Sequence, residues 1–417
     1  MLAQPAAESL VRTLSAVPEL AGMYRSGVTL GVGNGRMFLR NTEGTTALVR
    51  HPLLSLAISG ATQASDGTPI SGTMRRYARS VAEMPSTDQL TRDIRAFALR
   101  LDSLRQAPML ERYSGPVLFE GKAAAELFAE SFASALIGRR APTGGPDISA
   151  MMEANGRRLA AFGDRIGSRV LPTQLTVVDD PTIADYAGAP LLGSYRVDDD
   201  GVPARRKVLV DNGIVKQVLT TRIPIHGAAE STGNRRGEGA AASNMLVTSA
   251  AALSDAEIRS RLLALVKQRG LPFGLIIREL GVSAPNREDP MAMLSAMRGR
   301  GEGRPVLLAY RLYPDGREEL VRGARLVDVG AESFKDILAV SQNAAILHRA
   351  SLGLGGMASF MMPVELLESL GDAAGGVPMA SYVVPSLLFE DLSLERVEGE
   401  QPKPPVSPPP GSASGPQ

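Results

Sequence analysis

The chain has no cysteine among its 417 residues, which removes disulfides, thiolate metal ligands and a cysteine nucleophile together. Tryptophan is absent too, and aromatic residues make up 4% of the sequence, too few for a base-stacking surface. The three histidines, His51, His226 and His348, lie far apart, so their spacing gives little support to a three-ligand zinc site. His226 and Glu230 stand four apart, but Pro224 and Gly227 oppose the helix that would pair them. Neither charge sign dominates: 45 basic against 44 acidic residues leave +1, so no global field draws in a polyanion or an anionic membrane. No uninterrupted apolar run approaches the roughly 20 residues of a membrane span. The first twenty residues show no basic segment followed by an apolar core, hence no legible secretion signal. Nucleic acid and membrane are therefore not expected partners.

What is present suffices for a core: 44% hydrophobic residues in a chain of this length suit one large or two medium domains. Residues 7–20 carry amphipathic helical spacing closed near Pro18. GVTLGVGNGRMFLR (27–40) alternates about Asn34-Gly35, which predicts a hairpin; its glycines lack the GxGxxG spacing and following helix of a phosphate loop. Asn41-Thr42-Glu43-Gly44 predicts a second turn, and residues 45–58 a strand. Residues 85–104 predict a helix capped by Ser86 or Thr87, with Leu90, Ile94, Phe97, Ala98, Leu101 and Leu104 on one face. Its arginines are interspersed with aspartates, the pattern of a solvated face.

The chain is organised around YSGPVLFEGKAAAELFAESFASALIGRR (113–140). Val117-Leu118-Phe119 reads as a short buried strand, Gly121 as a turn, and Phe128, Phe132 and Leu136 as one stripe of a long alanine-rich helix ending near Gly138, Arg139 and Arg140. This helix resembles the metal-binding helix of the TldD/PmbA (TldD/TldE) metallopeptidase family, which carries H-E-x-x-x-H there. The six positions hold Ala129, Glu130, Ser131, Phe132, Ala133 and Ser134: the glutamate without either histidine. Histidines five apart lie roughly 140° around a regular helix, so their convergence on zinc needs a distortion such as a π-bulge. With both ligands gone, and Ala133 where the family usually has glycine, an ordinary helix and a lost site are expected.

Further on, LTVVDDPT (175–182) and AGAPLLGSYRVDDDGVPARRKVLVDNGIVKQVLTTR (187–222) resemble the family's DDPT and F/Y-D-D/E-G-V-P hairpin pattern, with Arg196-Val197 inserted. They predict strands at 195–197 and 207–210 about an Asp199-Asp200-Gly201 turn, with Asn212-Gly213 opening another hairpin. The Asp198-Asp199-Asp200 run lacks EF-hand spacing and reads as turn chemistry. Ser231, Thr232, Gly233, Asn234, Arg235, Arg236 and Asn244 resemble the family's STGN-x-RR…N segment, which borders the active chamber and is the expected substrate-binding set. Two other readings of the basic pair stay open: a solvated pair, or a guanidinium fork for a substrate carboxylate. Residues 254–269 predict a helix capped by Ser254, residues 306–310 and 318–323 a hairpin about Pro314-Asp315-Gly316, residues 334–340 a short helix, and residues 376–392 the last core strands. EGEQPKPPVSPPPGSASGPQ reads as a Pro-rich disordered tail.

The resemblance implies an α+β fold: an incomplete N-terminal α/β part over 1–110, a central helix and strand-rich C-terminal domain over 111–396, and the tail over 397–417. It implies a TldE/PmbA-like, zinc-less subunit that assists a TldD-type metallopeptidase, or a self-dimer, in proteolysis of unfolded peptides. No cofactor of its own is expected, zinc belonging to intact members. Glu130 is the degenerate catalytic position, flanked by Ala129 and Ser134. The alternatives are a metallopeptidase or hydrolase with a non-standard site, or a free-standing peptide-binding protein. A cytoplasmic setting is expected, although relatives carry further N-terminal residues and an upstream signal stays open.

Overall fold

The computed structural model of the protein describes residues 3–138, 162–225, 227–228, 230–281, 303–351 and 378–397. The expected Arg139-Arg140 helix end, the loop at 141–147, His226 and the tail beyond 397 lie outside these residues.

α1 (Gln4–Ser15) admits Pro5 in its first turn, where the missing N–H costs nothing, and stops short of Pro18. β1 (Arg25–Arg40) and β2 (Thr46–Gln63) then run antiparallel in unbroken register from Arg25↔Ala61 to Arg40↔Thr46. The hairpin expected at Asn34-Gly35 does not form, for these residues run on within β1 opposite Pro52 and His51. A turn there would forfeit every pairing beyond it, whereas β2 supplies a partner for the whole 16-residue strand. The reversal comes at residues 41–44, where Asn41 Oδ1 accepts from the N–H groups of Glu43 and Thr45 and Gly44 takes φ +86°. β3 (Pro69–Ala78) pairs along β2, and α2 (Thr87–Gln106), capped by Ser86, covers the three-stranded sheet. Leu14, Leu56, Ile58, Ile94 and Phe97 share one core there, joined by Leu308 from far along the chain.

β4 (Tyr113–Phe119) leads through Gly121 into α3 (Lys122–Leu127). The following strands are β5 (Leu175–Asp179), β6 (Lys207–Asp211) and β7 (Asn244–Ser249), then α4 (Asp255–Gln268). After it come β8 (Gly274–Leu280), β9 (Arg304–Leu312), β10 (Glu318–Val321), β11 (Ala324–Leu326), β12 (Ile337–Ala350) and β13 (Met379–Arg396). With Ile214–Val215 they form an eleven-stranded sheet in the path β10-β9-β8-β4-β13-β7-β5-β6. β13 pairs with β4, β7, β11 and β12. α4 packs Ile258, Leu262 and Val266 on one face of the sheet, and α3 with the turns after it packs on the larger core. The fold is α+β.

Two local expectations fail for tertiary reasons. Residues 195–197 make only an isolated bridge, Val197 to Pro203, because Asp198 draws the chain into a turn by accepting from the N–H groups of Asp200 and Val202. The short helix expected at 334–340 is a 3-10 turn, Ala331–Asp336, followed by β12, since Ile337, Ala339 and Val340 find partners on β13.

Candidate functional site

The helix that carries Glu130 is not ordinary. Its α-helical part ends at Leu127, a π-helical turn spans Phe128–Phe132, and a 3-10 turn spans Ala133–Leu136. Ala133 donates its N–H to the Phe128 carbonyl, five residues back. Packing accounts for the turn more directly than the lost ligands do. Phe128 and Phe132 are both fully buried, with ring centroids 5.4 Å apart, and Phe132 also meets Phe162 at 5.1 Å and Phe334 at 4.9 Å. The extra residue in the turn turns Glu130 and Ser131 outward between two buried neighbours.

Glu130 is held by two arginines from distant strands. Arg304 at the start of β9 reaches its Oε2 at 2.7 Å, and Arg349 at the end of β12 pairs with its Oε1. Arg304 also donates to the main-chain carbonyls of Glu126 and Gly281. One turn earlier, Lys122 Nζ lies 3.1 Å from Glu126 and 2.8 Å from Glu279. Burial pushes the Glu126 carboxyl up from its ordinary value, against the opposing pull of Lys122 and the Leu280 N–H. Lys122, Glu126, Glu279, Arg304 and Arg349 all face a cavity of about 1480 Å³ between the N-terminal sheet and the large one. Residues 68–77 of the β3 segment and 346–349 of β12 form two of its walls. His348 lies on the second wall, edge-on to Tyr77, its Nδ1 2.9 Å from Ser381 Oγ. Burial pushes the imidazole down to about 4.

The structure gathers the STGNRR…N residues behind that wall, through the sheet register Asn244↔Ser381↔His348. Asn244 is fully buried: its Oδ1 accepts from Gly193 N–H, and its amide donates to the Asp180 and Ile183 carbonyls. Asn234 donates to Asp179 at 2.9 Å and accepts from Lys207 at 2.7 Å, and Asp179 also accepts from Ser243 N–H. Burial pushes the Lys207 ammonium down, with Asp179 opposing. Thr232 exchanges hydrogen bonds with Thr220. Gly233 takes φ +73° and accepts from the Tyr195 hydroxyl at 2.6 Å. Arg236 is not solvated: it is 3% exposed and stacks on the Tyr195 ring at 3.7 Å. Arg235 is partly exposed and pairs with Asp200, and Ser231 is partly exposed. The three aspartates at 198–200 thus anchor this segment as well as making a turn, since Asp198 accepts from Arg235 N–H and Asp199 from Gly237 N–H.

Residues 112–280, which include the π turn and this network, match the family model for the PmbA/TldA metallopeptidase C-terminal domain. Metalloprotease MJ0996 of Methanocaldococcus jannaschii is 43% identical over 81 residues, 19% of this chain and 17% of that protein. A metalloprotease TldD homolog of Buchnera aphidicola is 32% identical over 85 residues, 20% of this chain and 17% of its own length. Among solved structures, TldE from Thermococcus kodakarensis superposes with a TM-score of 0.56 at 14% identity, over 94% of this chain and 75% of that one, which speaks for the fold. Residues 112–280 carry a PmbA/TldD-type C-terminal domain.

Within the PmbA/TldD frame, the residues at the zinc-ligand positions do not fit a zinc ion. Ala129 offers a methyl group, and the Ser134 hydroxyl donates to the Glu130 carbonyl at 3.1 Å. Among the described residues no group of three His, Asp or Glu side chains is placed to share a metal. Sequence reasoning missed Arg304 and Arg349, which reach Glu130 only once β9 and β12 have taken their separate places in the sheet. It also passed over Lys122 and Glu126, although their i, i+4 spacing with each other, and that of Glu126 with Glu130, marks one helical face. Among the described residues no helix is long and apolar enough to cross a membrane.

Proposed function

We propose that this chain is a non-catalytic PmbA/TldD-family subunit that admits unstructured peptides to an assembly whose cleavage is done by an intact, metal-bearing partner. The observation that carries the reading is the commitment of Glu130. Both of its carboxylate oxygens are in ion pairs with guanidinium groups, so neither is presented to a water that it would have to deprotonate. With Ala129 and Ser134 beside it, the turn supplies no imidazole that could hold an ion to activate that water. The cavity walls support peptide uptake. Among the described residues β3 pairs with β2 alone, and β12 pairs with β13 and is bridged to Leu253 only at Ser341, so β3 and residues 346–349 of β12 are sheet-edge stretches among these residues. An extended segment adds to such an edge by backbone hydrogen bonds with little regard to its sequence.

The test is reconstitution. The purified chain alone should leave an unstructured peptide intact, and mixing it with a TldD-type subunit bearing H-E-x-x-x-H should give a co-eluting complex that cleaves faster than that subunit alone. Cleavage by the isolated chain, abolished by Glu130→Gln, would instead establish it as a hydrolase in its own right.

A further inference from the structure

The charge on the cavity wall is not the charge of the chain. The whole sequence balances 45 basic residues with 44 acidic ones, yet among the described residues the wall carries nine Arg and Lys against four Asp and Glu. The imbalance has a structural origin: several of these arginines pair with carboxylates that do not line the wall. Arg278 pairs with Glu120 and Glu318, Arg322 with Asp66, and Arg304 and Arg349 with Glu130.

We infer that Arg304 and Arg349 form a seat for a carboxylate, that Glu130 is its resident occupant, and that the cavity selects peptides bearing carboxylates, which take the place of Glu130. The inference rests on the peptide-binding reading above and adds the substrate's chemistry to it. Two guanidinium groups from different strands converge on one carboxyl group, and their side chains are only 12% and 13% exposed, so the geometry is built by the sheet. Guanidinium forks match planar carboxylates, with short charge-assisted bonds. Glu130 sits on a π turn rather than a regular helix, and its side chain is 26% exposed, more than either arginine that holds it. A peptide laid along β3 or β12 would pass this pair, since residue 349 belongs to the β12 wall. The few aromatic groups on the wall, Tyr77 and Phe97 among them, favour a peptide over a nucleic acid, which would look for stacking partners.

The experiment measures binding of fluorescein-labelled, unstructured short peptides to the full chain by anisotropy. One peptide is rich in Asp and Glu, one is neutral with a free C-terminal carboxylate, one is the same neutral peptide amidated, and one is Lys-rich and amidated. The acidic peptide should bind about tenfold more tightly than the Lys-rich one. The contrast between free and amidated termini tells a terminal carboxylate from acidic side chains as the group that is seated. Glu130→Gln should tighten binding of carboxylate peptides several-fold without affecting the amidated neutral peptide, because it removes the competing occupant. Arg304→Gln with Arg349→Gln should abolish the preference; should that pair fail to fold, the Glu130→Gln result decides alone. Equal affinity for all four peptides, or weaker binding by Glu130→Gln, overturns the carboxylate seat while leaving peptide uptake standing. Binding of none overturns both, and displacement by inorganic phosphate or a short oligonucleotide at least as effective as by the acidic peptide overturns the assignment to carboxylates.

Discussion

Lys207 Nζ lies 3.2 Å from Asp179 Oδ2 with both side chains sealed from solvent, at 2% and 0% exposure. Asn234 and the Ser243 N–H complete the shell of Asp179, so every partner of this pair comes from the segment expected to border the family's chamber. Removing one partner strands a buried charge. We expect Lys207→Met to cost about 3–5 kcal/mol in urea unfolding, and Lys207→Met with Asp179→Asn to cost clearly less than the sum of the single changes. Additive costs would show that the two groups do not depend on each other.

The His348 imidazole titrates near 4 when folded and near its ordinary 6.5 when unfolded, because burial disfavours its charged form. The unfolded chain therefore takes up a proton first as pH falls. The stability from keeping this ring neutral is full above about 6.5 and is lost as pH drops towards 4, by up to about 3 kcal/mol. His348→Gln should flatten the stability profile between pH 6.5 and 4; an unchanged profile would place the acid sensitivity elsewhere.

The purified chain should carry no stoichiometric zinc at neutral pH by elemental analysis. Ala129→His, Ala133→Gly and Ser134→His together rebuild H-E-x-x-G-H on a turn that is already π-helical. Even so, we expect weak zinc binding and no cleavage. No cysteine exists to serve as a third ligand, Glu130 is engaged by two arginines, and Ala133→Gly costs the turn about 1 kcal/mol. Micromolar or tighter zinc with cleavage of an unstructured peptide would reverse this view.

Phe132→Ala removes the ring shared by Phe128, Phe162 and Phe334 and should cost about 3–5 kcal/mol. Phe38→Ser, on a side chain 78% exposed at the outer face of β1, should stay within about 0.5 kcal/mol. Denaturant midpoints of the two variants provide the comparison. Equal losses would mean that the π turn is not held by its aromatic core.

Duplex DNA should show no salt-dependent affinity for the chain, since its 45 basic residues are balanced by 44 acidic ones. A steep salt slope in a binding titration would contradict that.

Much of this was legible where local chemistry and tertiary demand agree. Ser254 with Glu257 makes the full capping box of α4, Asn212-Gly213 supplies the positive φ values of its hairpin, and Ser86 caps α2 as its spacing implies. Asn34-Gly35 shows the opposite case, a strong turn signal overruled by a long complementary strand. The π turn was anticipated only as the companion of histidines that are gone, yet it persists because phenylalanines fill the space behind it. The arginine pair on Glu130 had no local signal at all. It exists only once β9 and β12 are both in place, and no spacing within one segment encodes it.

The position of β13 also sets a timetable. Among the described residues, those of β13 are the last along the sequence to join the sheet, and they pair with β4, β7, β11 and β12, with Leu394 opposite Tyr113. A ribosome making this protein must pass residue 394 before the sheet can close, so the earlier strands wait with open edges while synthesis runs on. Contacts of such long sequence separation fold slowly and leave intermediates prone to association. The arrival of β13 is thus the step that releases β4, β7, β11 and β12 from that exposure.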